Sequence, residues 1–107
     1  MSILGYACSM LIIVGTIRLP PGNLAAARAA MERMITASRA EGGCLAYAYS
    51  EDILEPGLIH VTERWLDPAS LKRHWNSEHL VQWRATWETL GLHDRNLQLY
   101  SAEPITI

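Results

Sequence analysis

The spacing of hydrophobic residues predicts a strand followed by a helix in the first part of the chain. Residues 11–19 are apolar and rich in β-branched side chains, and Pro20-Pro21-Gly22 ends this run, which predicts a buried strand. Asn23 occupies the N-cap position of a helix that ends at Gly42-Gly43. One face of that helix carries residues spaced by three, four and seven, namely Leu24, Ala27, Met31, Met34, Ile35 and Ser38.

A β-hairpin is predicted next. Residues 44–51 alternate in size and indicate a strand, with Leu45, Tyr47 and Tyr49 on one face. The turn signal Glu55-Pro56-Gly57 separates it from a second strand over residues 58–65. The short connection makes the two strands antiparallel.

A second helical region and a last strand complete the pattern. Asp67 is expected to be the N-cap and Pro68 the first helical residue. The apolar spacing changes near Asn76-Ser77, which predicts a break, and Gly91 ends the region. Residues 97–101 form the last predicted strand.

This order of elements predicts an α+β fold with a ferredoxin-like β-α-β-β-α-β layout. Four antiparallel strands then form one sheet, with both helical regions on the same face. In the first strand Leu11, Ile13, Ile17 and Leu19 point to one face, whereas Ile12 and Val14 point to the other. Both faces are therefore apolar, which predicts a homodimer packed sheet to sheet, a dimeric α+β barrel.

Composition and charge narrow the functional classes. A chain of 107 residues indicates one domain, assigned to residues 10–107 after an N-terminal extension, residues 1–9. The chain is 50% hydrophobic and holds four Trp, which favours oligomerisation, although a well-filled core explains this nearly as well. The net charge of −2 without a basic stripe argues against a nucleic-acid partner.

The cysteines and the hydropathy suggest a location. Cys8 and Cys44 form neither a disulfide framework nor a CxxC motif, so they fit a reducing, cytoplasmic compartment. No stretch of the sequence is long and apolar enough to span a bilayer, so no membrane partner is expected.

Two histidines are the first candidates for chemistry. His74 follows Leu71 by three residues and should lie near the buried helix face, where an ordinary pKa of about 6.5 suits a general base. The alternative is a partly buried histidine bonded to a backbone carbonyl. His79 is the second candidate, although a capping or surface role explains it more simply. Because the two are five residues apart, one unbroken helix would separate their faces, and no metal site is expected.

The strand that ends at Trp65 provides further candidates. Trp65 suits stacking on an aromatic ring, although core packing explains a buried tryptophan equally well. Glu63 shares its face and needs a partner, because a carboxylate on an apolar strand is costly to bury. It could orient a base or form a structural salt bridge.

These residues, in this order, resemble the antibiotic biosynthesis monooxygenase family, and the quinol monooxygenase-like members in particular. The similar segments are Gly42-Gly43-Cys44-Leu45-Ala46-Tyr47, Glu63-Arg64-Trp65, the Asp67-Pro68 helix start, and His74 with His79. The resemblance extends from Met10 to about Tyr100.

The resemblance implies a function and a site. The implied activity is a cofactor-independent monooxygenase that oxidises a quinol, anthrone or related polyphenol with O2 and holds no metal. The implied pocket lies between sheet and helices, with His74 as the base and Arg84 as an oxyanion partner. The implied substrate-binding residues are Trp65, Glu63, Val61, Thr16 and His79. Val61 stands where one family member has an asparagine, so one hydrogen-bond donor is missing.

Two other functions remain open at this stage. One is a non-catalytic dimeric domain that binds a small ligand or serves a stress response. The other is an isomerase-like enzyme that moves a proton without O2. One fold hosts unrelated functions, so the layout alone does not choose between them.

Overall fold

The computed structural model describes residues 10–107, and the predicted extension, with Cys8, lies outside the described residues. The elements follow the predicted order, with the helical region after β3 divided into three helices. They are β1 Met10–Arg18, α1 Leu24–Arg39, β2 Cys44–Glu51, β3 Leu58–Trp65, α2 Pro68–Trp75, α3 Glu78–Ala85, α4 Trp87–Leu90 and β4 His93–Ala102. None of the described helices is long and apolar enough to cross a membrane.

The four strands form one antiparallel sheet in the order β2-β3-β1-β4. Along β3, residues with the parity of Trp65 are buried, whereas the residues between them are exposed. On β1, Leu11 pairs with Trp65, Ile13 with Glu63 and Ile17 with Ile59. These inner-face side chains form the core with the helices, so the ferredoxin-like α+β fold is confirmed.

Helix α1 buries the predicted face. Ala27, Met31, Met34 and Ser38 are buried along it. Asn23 precedes the helix as predicted, but its side chain makes no cap hydrogen bond. Its Nδ2 donates instead to the Leu90 carbonyl oxygen at 2.8 Å, which ties the start of α1 to the end of α4.

The turn between α1 and β2 is held tightly against α2. Gly43 has a φ of +86°, and a Cβ at this position would lie 2.0 Å from Ser70 Oγ. The Gly43 carbonyl oxygen accepts a hydrogen bond from the Leu66 amide at 2.8 Å. Only glycine fits both the backbone angle and the space. The contact fixes the position of Glu41, which precedes the turn.

The predicted helix break lies between α2 and α3. Asp67 caps α2 by accepting from the Ser70 amide at 2.8 Å, as expected. Ser77 caps α3 by accepting from the Leu80 amide at 3.3 Å, and its hydroxyl donates to the His74 carbonyl oxygen at 2.6 Å. The chain therefore changes direction between His74 and His79.

Two details of the sheet differ from the prediction. The pairing of β2 with β3 shifts register between Cys44 and Ala46, so Leu45 is an extra residue and is 45% exposed rather than on the face of Tyr47. Strand β4 begins at His93, not Leu97, because pairing with β1 continues to Arg18. Its polar first residues gave no apolar pattern to detect.

Candidate functional site

A cavity of about 430 Å³ lies between the inner face of the sheet and the helices that follow β3. Five aromatic residues line it, with Tyr47 and Tyr49 from β2 and Trp75, Trp83 and Trp87 from the helices. Six polar or charged side chains also line it: Glu63, His74, Asn76, Arg84, Arg95 and Gln98. Its size suits a small aromatic molecule.

His74 is buried at one side of this cavity and is bound to a carboxylate. The side chain is 2% exposed, and its Nδ1 lies 2.6 Å from Glu41 Oε2. His79 Nε2 lies 2.8 Å from the same oxygen. One carboxylate oxygen of Glu41 thus accepts from both imidazoles. His74 is bonded to a side chain, not to a backbone carbonyl.

This contact fixes the tautomer of His74. Because a carboxylate can only accept, Nδ1 carries the proton, and a neutral ring then has a free lone pair on Nε2. Burial lowers the pKa of His74, whereas the hydrogen bond and charge of Glu41 oppose that shift. A neutral imidazole with Nδ1 held by a carboxylate has the arrangement of a general base.

Glu63 lies beside the free nitrogen of His74. Its Oε1 is 4.0 Å from His74 Nε2 and accepts a hydrogen bond from Trp65 Nε1 at 3.0 Å. Burial raises the pKa of Glu63 to about 7, although the Trp65 hydrogen bond and the charge of Arg95 partly oppose that shift. In the described part of the chain Glu63 pairs with no Lys or Arg, so a salt bridge to either, one of the two roles predicted for it, is not formed.

The gap between these two groups can hold a hydroxyl. An oxygen atom at a hydrogen-bonding distance of about 2.8 Å from both His74 Nε2 and Glu63 Oε1 fits their separation. The site can therefore bind a hydroxyl that donates its proton to Nε2, and the Glu63 carboxyl, when protonated, can donate a hydrogen bond to the resulting oxyanion.

Two of the predicted residues lie beneath the cavity instead of lining it. Trp65 is fully buried, with its ring centroid 4.6 Å from that of His74. Val61 is buried in the core as well. Neither is part of the lining, so any influence of Trp65 passes through Glu63 and His74.

Thr16 lies on the wrong face for the predicted role. Directly opposite residues of an antiparallel pair share a face, and Thr16 pairs with His60 rather than with a residue of Trp65 parity. Both therefore point away from the helices. The face assignment of Thr16 was wrong, and Ile13 and Ile17 occupy the β1 side of the cavity.

The structure places the other two predicted residues at the edge of the site. Arg84 lines the cavity and donates from NH1 to the Trp75 carbonyl oxygen at 3.2 Å. Neither His79 nor Glu41 lines the cavity, and His79 is connected to it by the hydrogen bonds that Glu41 makes with His79 and with His74. Sequence reasoning missed Glu41 and Arg95, because nothing local distinguishes either from a surface charge.

The same cluster offers metal-type ligand atoms. One atom from each of Glu41, His74 and His79 lies within 4.8 Å of the others. The helix break causes this convergence, which the spacing on an unbroken helix had excluded. Metal–nitrogen distances of about 2.0–2.1 Å separate neighbouring ligands by more than 3 Å. The present hydrogen bonds are shorter, so the cluster would have to open to hold an ion.

Comparison with known proteins identifies the fold family. The family model for antibiotic biosynthesis monooxygenase matches residues 10–86. The chain belongs to the antibiotic biosynthesis monooxygenase family. The matched residues include β1, Glu41 and His74, and the match ends two residues after Arg84.

Solved structures of similar chains agree with this family. A Deinococcus radiodurans protein provisionally named an antibiotic biosynthesis monooxygenase is 30% identical, with a TM-score of 0.82 over 91% of this chain and 97% of its own. A Pseudomonas aeruginosa protein is also 30% identical, with a TM-score of 0.73 over 92% and 96%. A Mycobacterium tuberculosis protein is 27% identical, with a TM-score of 0.70 over 92% and 97%. No curated protein matches the chain.

Proposed function

We propose that the protein is a cofactor-independent monooxygenase that oxidises a quinol, anthrone or related polyphenol with O2. The observation that carries the proposal is the free Nε2 of buried His74, held beside Glu63 at an aromatic cavity. Family membership supports the reaction class, because the family model is that of a monooxygenase.

The reaction requires little from the protein beyond deprotonation of the substrate and a cavity that binds it. His74 Nε2 removes a phenolic proton, and the electron-rich phenolate passes one electron to O2. The resulting radical and superoxide combine, one oxygen atom enters the ring, and the other leaves as water with two hydrogens from the substrate. A buried imidazole whose Nε2 is unprotonated favours the first of these steps. Arg84 lines the same cavity, and its positive charge is proposed to favour the deprotonated substrate without touching the reacting oxygen.

Oxygen uptake tests the proposal directly. Purified, metal-stripped protein is expected to accelerate O2 consumption by a panel of hydroquinones and anthrones above their autoxidation rate, because His74 raises the fraction of phenolate. The uptake should persist with a chelator. When the reaction is run under ¹⁸O2, mass spectrometry should find one atom of ¹⁸O in the product. Turnover that stops with the chelator would contradict the cofactor-free reaction.

The two alternative functions give different results in the same assay. A ligand-binding domain would bind these rings without increasing O2 consumption. An isomerase would exchange a carbon-bound substrate proton with solvent under anaerobic conditions. Either result without oxygen uptake would replace the proposed activity.

The active form is proposed to be a homodimer packed through the outer face of the sheet. Val14 is 37% exposed on the outer face and Tyr100 is 48% exposed beside it, although β1, which carries Val14, is one of the two inner strands of the sheet. A second copy would cover both side chains.

Charge at this face should dissociate the proposed dimer. Val14→Glu is expected to sediment as a monomer, because burying an unpaired carboxylate between two sheets is costly. Val81→Glu is the matched control, since Val81 is 54% exposed on α3, away from the outer sheet face. A wild-type chain that sediments as a monomer would contradict this arrangement.

A further inference from the structure

We propose that the cavity selects an anionic aromatic ligand, a hydroxylated ring that carries a carboxylate, and that Arg95 with Arg84 binds the acid group. The inference rests on the proposed function and deepens it by naming the substrate class. It assigns a specificity role to Arg95, which no sequence pattern indicated.

Arg95 is placed to receive an anion at the solvent-exposed side of the cavity. Its guanidinium lies over the Trp87 ring, 5.6 Å from the ring centroid, and the residue lines the cavity from β4. Across residues 10–107 it makes no ion pair with a carboxylate. A guanidinium that rests on an aromatic face keeps its donor edge free for a ligand.

Arg84 adds a second exposed positive charge on the helical side of the cavity. It lines the same cavity from α3, and its hydrogen bond is to a backbone carbonyl, that of Trp75. Within the described residues it too has no carboxylate partner. Two guanidinium groups therefore line one cavity, and within the described residues neither is ion-paired with a carboxylate.

The remaining titratable groups of the lining do not balance this charge. They are Tyr47, Tyr49, Glu63 and His74. Burial raises the pKa values of both tyrosines and lowers that of His74, so these three are neutral near pH 7. Glu63 is only partly ionised there, because burial raises its pKa to about 7. The lining is therefore net positive, which complements an anion.

The two ends of the site then recognise different groups. The ring hydroxyl is proposed to lie between His74 Nε2 and Glu63 Oε1, and the carboxylate to accept from Arg95 and Arg84. Arginine binds a carboxylate through two parallel N–H donors, which fixes orientation as well as charge. The aromatic walls between the two ends suit a single substituted ring.

A matched pair of hydroquinones tests this inference without turnover. The probes are 2,5-dihydroxybenzoate, which is anionic, and 2,5-dihydroxybenzamide, which has nearly the same shape and no charge. Anaerobic titration calorimetry on the wild-type protein should give about tenfold tighter binding of the benzoate. High salt should weaken the benzoate and leave the benzamide unchanged.

Three variants locate the effect. Arg95→Gln should bring the two affinities close together by weakening the benzoate alone, and Arg95→Lys should restore part of the preference. Arg28→Gln is the control, because it removes the same charge from an exposed residue of α1 that pairs with Glu32. It should leave the preference unchanged.

The outcomes separate this inference from the proposed activity. A benzoate preference that Arg95→Gln abolishes supports it, whether or not O2 is consumed. About equal affinities in the wild-type protein, an unchanged preference in Arg95→Gln, or no binding of either probe would overturn it. Oxygen uptake with no preference for the acid would leave the proposed reaction standing and reject the anion site.

Discussion

Replacing His74 with alanine is expected to lower kcat for quinol oxidation by about 10²–10⁴-fold, the contribution typical of a positioned general base. The ring makes its 2.6 Å contact with Glu41 through Nδ1, so Nε2 is the only nitrogen that can accept the substrate proton. KM should change less, since the cavity walls remain. Steady-state oxygen uptake with a hydroquinone that the wild-type protein oxidises measures both constants.

Two further variants show that the loss comes from the base. Glu41→Gln should also lower kcat, because an amide oxygen orients the imidazole less strongly and does not stabilise its protonated form. His93→Ala is the control, since His93 is exposed and, among residues 10–107, its side chain bonds only to the Gly91 carbonyl oxygen. Activity of His74→Ala within about threefold of wild type would rule out this base.

The pH profile gives an independent readout of the same group. Burial lowers the pKa of His74, so Nε2 stays unprotonated at a lower pH than in an ordinary histidine. The wild-type rate should therefore rise with pH through a midpoint below the usual histidine value, and Glu41→Gln should lower that midpoint further by removing the opposing charge.

The sequence was sufficient to predict the fold because the signals for its elements are short-range. Residues 58–65 alternate with a period of two, and residues 24–38 carry apolar side chains at spacings of three and four. Both patterns arise because a regular strand or helix buries one of its faces. The caps at Asp67 and Ser77 and the glycine turn at Gly43 are equally local, so the element order followed directly from the chain.

The site was only partly predictable because its contacts are distant in the chain. His74 was expected near the buried face from its spacing to Leu71, and it is buried. Glu41 is 33 residues away from it, and only the packing of the α1–β2 turn against α2 brings the two together. The convergence of His79 on the same carboxylate depends on the angle of the helix break, which spacing does not specify.

The error at Thr16 has a different cause, because its signal was present. Ile13 and Ile17 lie on the inner face of the sheet. Thr16 is an odd number of residues from each of them, so its side chain had to point outward. The resemblance to the family had suggested the opposite face. The bulge at Leu45 could not be read in the same way, since alternation in residues 44–51 continues through it.

Glu63→Gln is expected to stabilise the protein above neutral pH while lowering its activity. The side chain is buried, and burial raises its pKa from 4.5 to about 7. Each pKa unit corresponds to about 1.4 kcal/mol, so the wild-type carboxylate opposes folding by up to about 3 kcal/mol at high pH. Glutamine cannot ionise, and its amide oxygen can still accept from Trp65 Nε1.

The sign of the effect follows from proton binding. Between pH 4.5 and about 7 the folded protein holds the Glu63 proton that the unfolded chain has released. The stabilisation that comes from holding this proton is therefore fully present below pH 4.5, and it is lost as the pH rises to about 7. The lowered pKa of His74 acts in the opposite direction, because folding then becomes less favourable as pH falls. That contribution largely cancels when the variant is compared with wild type at one pH.

Urea denaturation at about pH 4 and about pH 8 measures the difference. Glu63→Gln should match wild type at the lower pH and be more stable at the higher one, whereas Glu88→Gln, on the exposed surface of α4, should match wild type at both. A variant that is no more stable than wild type at the higher pH would show that the buried Glu63 carboxylate does not destabilise the folded protein. If it is more stable but oxidises quinols more slowly, the buried carboxyl is retained for chemistry, since packing alone favours its neutral analogue.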